Sequence, residues 1–129
     1  MTTHDTDLAV RATGLVKQFA DQRAVDQIDL EVRRGEVFGV LGPNGAGKTT
    51  TLRMLATLLH IDAGEATIFG HDVRGEPHAV RRLLGVTGQY ASVDENLTAS
   101  ENLWLFARLQ GLGRTEARAR GAELLEQFD

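Results

Sequence analysis

One run of residues in this chain has the types and spacing needed to hold a polyphosphate. Gly42-Pro43-Asn44-Gly45-Ala46-Gly47-Lys48-Thr49 satisfies every fixed position of the pattern G-x-x-x-x-G-K-[ST]. A triphosphate brings several negative charges, and such a loop answers them with consecutive backbone N–H groups pointing inward. Gly45 and Gly47 serve that geometry, because a Cβ would block close approach or the unusual φ/ψ. The Lys48 ammonium reaches the β- and γ-phosphates and the Thr49 hydroxyl can ligate Mg²⁺, so the implied ligand is a Mg-nucleotide. Glycines that only made a tight strand-to-helix turn would leave the Lys48-Thr49 pair unexplained. Gly42, Gly45 and Gly47 also fail to make G-x-G-x-x-G, which sets the dinucleotide fingerprint aside.

A strand must enter this loop and a helix must leave it. Residues 36–41, Glu-Val-Phe-Gly-Val-Leu, are apolar on both faces, as expected of a strand buried between two layers at the centre of a parallel sheet. Over residues 48–59 the apolar Leu52, Leu55, Ala56, Leu58 and Leu59 recur at three- and four-residue spacing and predict an amphipathic helix ending before Gly64. Its unpaired N-terminal N–H groups and positive dipole end would face the loop.

The flanking elements are legible in the same way. Residues 8–12 alternate, as do 24–32 with Ile28, Leu30 and Val32 on one face, which predicts two half-exposed strands. Residues 17–23 between them are polar apart from Phe19 and read as a connection. A short strand over 65–69, one or two helical turns over 77–82 and a strand over 83–87 follow. Thr98 and Glu101 have capping-box spacing ahead of a helix carrying Leu103, Leu105, Phe106 and Leu109, with Gly111 as its stop. A third helix begins near Thr115 and carries Ala117, Gly121, Leu124, Leu125 and Phe128.

Composition bounds the rest. At 129 residues the prior is about one domain. The 14 Lys+Arg against 18 Asp+Glu leave a net charge of −4, without the positive field that nonspecific nucleic-acid binding requires, so no nucleic-acid partner is expected. With no cysteine there is no disulfide framework, thiolate metal site or cysteine nucleophile, which suits a reducing compartment and makes the cytosol the default. An apolar share of 42% is that of a globular chain. No run approaches the roughly 20 apolar residues that span a bilayer, and residues 1–7 are polar where a secretory signal would be basic and then apolar. Arg33-Arg34 and Arg81-Arg82 read as solvated surface, and His4, His60, His71 and His78 lack metal-site spacing.

Extended to Gly42-Pro-Asn-Gly-Ala-Gly-Lys-Thr-Thr-Thr51, the loop resembles the Walker A segment of ATP-binding-cassette (ABC) transporter ATPases. Other motifs agree in order and spacing. Phe19, in Leu15-Val16-Lys17-Gln18-Phe19, sits where that family places an aromatic stacked on adenine; the usual residue is Tyr, but Phe keeps the π-face. Gln89, in Gly85-Val86-Thr87-Gly88-Gln89, sits at the position of the Q-loop glutamine. Residues 90–103 resemble the Leu-Thr-x-x-Glu-Asn-Leu stretch that opens the family's helical subdomain, and with the Val-Thr-Gly-Gln run they look most like the daunorubicin-resistance type of drug exporter. The resemblance covers residues 8–128. Each carried-over residue also has a plainer role open to it: Phe19 as a core-edge aromatic, Gln89 as an exposed polar residue after a strand, Thr98 and Glu101 as a helix cap alone.

The resemblance implies an α/β fold. Residues 1–129 would be the N-terminal part of one ABC ATPase domain, with a β and P-loop core over about 8–89 that includes an antiparallel β piece, and the start of the α-helical subdomain over about 98–129. It assigns Gly42, Pro43, Asn44, Gly45, Ala46, Gly47, Lys48, Thr49, Thr50 and Phe19 to the nucleotide. Thr49 and Gln89 would hold Mg²⁺, and Gln89 would also position the attacking water and link the site to the membrane partner. ATP and Mg²⁺ are the implied ligands. The implied partners are a second ATP-binding subunit and a transmembrane permease that places the protein peripherally at the inner face of the membrane. The family's signature, its Walker B strand with the catalytic glutamate and its switch histidine have no counterpart here, so these residues alone are expected to bind nucleotide without hydrolysing it. Without the Walker B strand, residues 37–41 would present an apolar unpaired edge. Two other readings stay open: a non-catalytic nucleotide-binding module, and a soluble ABC-type ATPase without a membrane partner.

Overall fold

A computed structural model of the chain describes residues 7–88 and 92–128. They fall into two compact units, one reaching Val86 and the other beginning at Thr87.

The first unit is built on a hairpin. Strands β1 (Leu8–Phe19) and β2 (Gln22–Arg33) pair antiparallel from Leu8 opposite Arg33 to Phe19 opposite Gln22. The turn passes through Ala20, whose φ of 46° is left-handed. The predicted connection over residues 17–23 is therefore mostly strand. A break in register between Ala12 and Leu15 explains why the alternation fades there. The irregularity changes the parity of the strand, so that Ala12 above it and Leu15 and Lys17 below it are all buried.

Helix α1 (Lys48–Leu55), strand β3 (Ala63–Ile68), the two-residue strand β4 (His71–Asp72) and helix α2 (Pro77–Leu83) complete this unit. β3 pairs antiparallel with the free edge of β1, giving the order β2-β1-β3-β4. Leu15, Met54, Ile61, Ile68 and Val80 are its most deeply buried side chains and belong to one apolar cluster.

Three further expectations are corrected. Residues 36–41 form no strand, and Val37 and Leu41 are 100% and 94% exposed. A strand that is apolar on both faces needs neighbours on both edges, and among the described residues every paired strand is antiparallel and none pairs with this segment. Residues 84–87 likewise lie outside any strand, following α2 in irregular structure. Helix α1 stops at Leu55 instead of continuing to Leu59. Its end is a Schellman turn, with the Leu58 N–H donating to the Arg53 carbonyl at 2.9 Å and the Thr57 N–H to the Met54 carbonyl at 3.1 Å. Thr57, at φ 63°, takes the left-handed position there, and Leu58 is left exposed.

The second unit contains helices α3 (Ala99–Leu109) and α4 (Arg114–Gln127), packed on each other where Gly121 approaches Leu103. The expected capping box is formed. Glu101 N–H donates to Thr98 Oγ1 at 3.2 Å, and Thr98 N–H donates to Glu101 Oε2 at 2.8 Å. Hydrogen bonds from the Thr98 N–H and hydroxyl hold the Glu101 carboxyl below the usual carboxylate range. Thr98→Ala removes the box and is expected to cost about 1 kcal/mol. A urea-denaturation midpoint unchanged by the substitution would show that the cap is dispensable.

Candidate functional site

The glycine-rich loop leads directly into α1. Gly45 and Gly47 lie at φ 84° and 88°, in the left-handed region that lets successive N–H groups turn to one side. Gly47 is the N-cap of α1 and no side chain caps the helix. The N–H groups of Lys48, Thr49 and Thr50 therefore have no intrahelical acceptor, while Thr51 N–H returns to the Gly47 carbonyl at 2.9 Å. The Thr51 hydroxyl donates to the same carbonyl at 2.8 Å, facing inward, and Thr49 is left exposed.

Lys48 folds back over the loop. Its Nζ donates to the carbonyls of Gly42 and, at 2.8 Å, Pro43. The ammonium thus sits where the loop closes, held among the described residues by neutral carbonyl oxygens alone, which charged phosphate oxygens would displace favourably. A Cβ at Gly42 would lie 3.3 Å from Ala46 Cβ and 3.9 Å from Lys48 Nζ, in the space the loop keeps for this side chain. Donors of this kind, together with a free hydroxyl at Thr49, fit a polyphosphate carrying a hard cation.

Contact with the hairpin fixes where the loop points. A Cβ at Gly47 would come within 2.4 Å of the Ala24 carbonyl oxygen and 3.2 Å of Val25 Cγ2. Val25 is opposite Lys17 in the β1–β2 ladder, and Phe19 closes that ladder two residues on. The hairpin end that carries Phe19 is thereby tied to the start of α1. Phe19 is 47% exposed and does not belong to the buried core.

Two residues with a place in this arrangement are invisible to motif reading. Lys17 is 8% exposed, and its Nζ pairs with Asp62 Oδ1 at 3.0 Å and lies 5.5 Å from the centre of the Phe19 ring. The Gln18 N–H and the Lys17 ammonium, in that order of effect, hold the Asp62 carboxyl below its ordinary range. No spacing rule could have joined Lys17 to Asp62, because the register of β1 with the start of β3 brings them together.

Gln89 lies outside the described residues. Beyond it, Asn102 is 7% exposed and ties the start of α3 to the preceding loop. Its amide nitrogen donates to the carbonyls of Asp94 at 3.0 Å, Leu97 at 3.2 Å and Thr98 at 3.1 Å, and its amide oxygen accepts from Asp94 N–H at 2.8 Å. The Glu-Asn-Leu stretch here serves the architecture, in that Glu101 caps the helix, Asn102 staples the loop and Leu103 packs on α4 near Gly121.

Comparison with protein families matches residues 25–129 to the family described as ABC transporter. The daunorubicin/doxorubicin resistance ATP-binding protein DrrA of Streptomyces peucetius is 59% identical over 120 residues, covering 93% of this chain and 36% of that protein. The Nod factor export ATP-binding protein I of Ralstonia nicotianae is 46% identical over 113 residues, covering 88% of this chain and 35% of that protein. Among solved structures, an ATP-binding subunit of an ABC transporter superposes with a TM-score of 0.71 at 28% identity, covering 83% of this chain and 45% of that one. The chain thus spans little more than a third of the length of these two relatives.

Proposed function

The chain belongs to the ABC transporter family, and on that premise we propose that it binds Mg-ATP through residues 42–50 as the N-terminal part of an ATP-binding subunit that powers export of drugs or other hydrophobic compounds through a separate membrane subunit. The observation that carries this reading is the loop itself. Its two left-handed glycines, its lysine held by loop carbonyls and the uncapped helix behind it supply the donors a triphosphate needs.

In this proposal the residues divide the work. The loop from Gly42 to Gly47 wraps the phosphates with backbone N–H groups. Lys48 exchanges its carbonyl partners for β- and γ-phosphate oxygens, and the N–H groups of Thr49 and Thr50 add the helix end. The Thr49 hydroxyl and the Gln89 amide oxygen would hold Mg²⁺, which when bound neutralises phosphate charge. Gln89 would also orient water for hydrolysis in the intact subunit. Residues from about 8 to 89 would belong to the β and P-loop core of one domain, and those from about 98 to 129 would begin its helical part. Two copies would pair around ATP and work at the inner face of the membrane through the permease. Among the described residues no helix is long and apolar enough to cross a membrane. The drug-resistance and export functions named for the two relatives support the choice of cargo and direction.

The base contact is tested with Phe19→Ala. Loss of the ring should weaken ATP binding by roughly 1 kcal/mol or more, by analogy with base–aromatic contacts. Calorimetric ATP titrations that gave equal affinities for the two proteins would reject Phe19 as the base platform.

A further inference from the structure

Asp62 makes an unusual set of contacts with the end of β1. Its N–H donates to the Val16 carbonyl at 3.1 Å, its Oδ1 accepts from Lys17 Nζ at 3.0 Å and its Oδ2 accepts from Gln18 N–H at 2.8 Å. One residue therefore grips three consecutive positions immediately before Phe19. Lys17 and Phe19 lie two apart on the strand, on the same face, and the ammonium sits 5.5 Å from the ring centre. The Lys17 side chain is only 10% exposed, so its charge is not free to wander into solvent, whereas Phe19 as a residue remains 47% exposed. The ring is thus held next to a cation by a carboxylate while much of its surface stays open.

We propose that Asp62 is a positioning residue for the nucleotide base, setting the Phe19 ring through Lys17 and Gln18 so that its open surface receives a purine. The inference rests on the reading of Phe19 as the base platform. It deepens that reading by adding a preference for purines, set by the charge pair behind the ring. An ammonium close to a ring draws π-density toward itself, and a ring so polarised stacks better on an electron-rich purine than on a pyrimidine. Asp62 supplies two things to this arrangement: the backbone hydrogen bond that fixes the strand end, and the charge that keeps the Lys17 ammonium in place. Asp62→Asn keeps an acceptor for Gln18 and removes the charge, separating the two.

The test compares ATP with inorganic tripolyphosphate, which presents phosphates and no base, by calorimetry on the intact subunit. Asp62→Asn is expected to weaken ATP binding about fivefold and leave tripolyphosphate affinity unchanged. Lys17→Met, which keeps the buried aliphatic stem without the charge, is expected to show the same split, and the ATP-over-CTP preference should shrink in both variants. Equal weakening of ATP and tripolyphosphate would overturn the proposal, because Asp62 would then only be holding the fold together. Unchanged ATP affinity in Asp62→Asn, alongside weakened binding in Phe19→Ala, would also overturn it while leaving the platform intact. Unchanged ATP affinity in Phe19→Ala would instead remove the platform, and this inference with it.

Discussion

Lys48→Ala is expected to weaken ATP binding by at least about a hundredfold, the largest effect of any single side chain in the loop. The ammonium now donates to two neutral carbonyls, Gly42 and Pro43, and on nucleotide binding it would exchange them for phosphate oxygens carrying full charge. Hydrogen bonds to charged groups contribute roughly 1.5–3 kcal/mol each, and losing two of them exceeds the 2.7 or so that corresponds to a hundredfold. The same substitution should hardly touch the fold, since the carbonyls it abandons are exposed to water, and a shift in stability within about 0.5 kcal/mol is expected. Calorimetry with ATP decides the first point and a denaturation curve the second. Unchanged ATP affinity in a folded Lys48→Ala protein would refute the assignment of the loop to nucleotide.

Gly47→Ala is expected to damage both stability and binding, for a different reason. At φ 88° an alanine incurs the left-handed cost of about 1–2 kcal/mol. Its Cβ would also sit 2.4 Å from the Ala24 carbonyl oxygen, a backbone atom that cannot rotate away. Either α1 or β2 has to move, and the sum is expected to reach about 3 kcal/mol. Movement of α1 also misaims the N–H groups of residues 48–50, so ATP affinity should fall with stability. Gly45→Ala is the internal control. It has a similar φ of 84° but nothing within 4 Å of the added Cβ, so only the backbone strain of about 1–2 kcal/mol applies. Denaturation midpoints that placed Gly45→Ala below Gly47→Ala would contradict the close approach of the loop to the hairpin.

Local chemistry is the part most readily read along the chain. Thr98 and Glu101 announce a capping box because both partners lie within one turn, and the box is formed with the expected donors. The start of the helix at Lys48 is legible too, but its end is not, because Leu58 and Leu59 continue the apolar spacing while the backbone has already turned at Thr57. Periodicity reports which residues could face a core and says nothing of a left-handed threonine. The break in β1 misleads in a similar way. A change of register between Ala12 and Leu15 lets both reach the same core, and a strict period of two stops short of it.

Residues 36–41 mark the boundary between what residue types imply and what a structure must supply. Their apolar character on both faces depends only on the sequence, but a strand exists through the hydrogen bonds of its neighbours, and none among the described residues provides them. The motif from Gly42 to Thr49 is determined by sequence alone, since each of its functions belongs to a residue type at a fixed local spacing: glycine for φ above zero, lysine for charge, threonine for a hydroxyl. Only tertiary structure decides what surrounds it. The approach of Gly47 to Ala24, the grip of Asp62 on Val16, Lys17 and Gln18, and the ammonium beside Phe19 all arise from strand register and close packing between segments distant in the chain. Such contacts leave no periodic trace in the sequence, because hydrogen bonding across strands, not spacing along the chain, selects the partner.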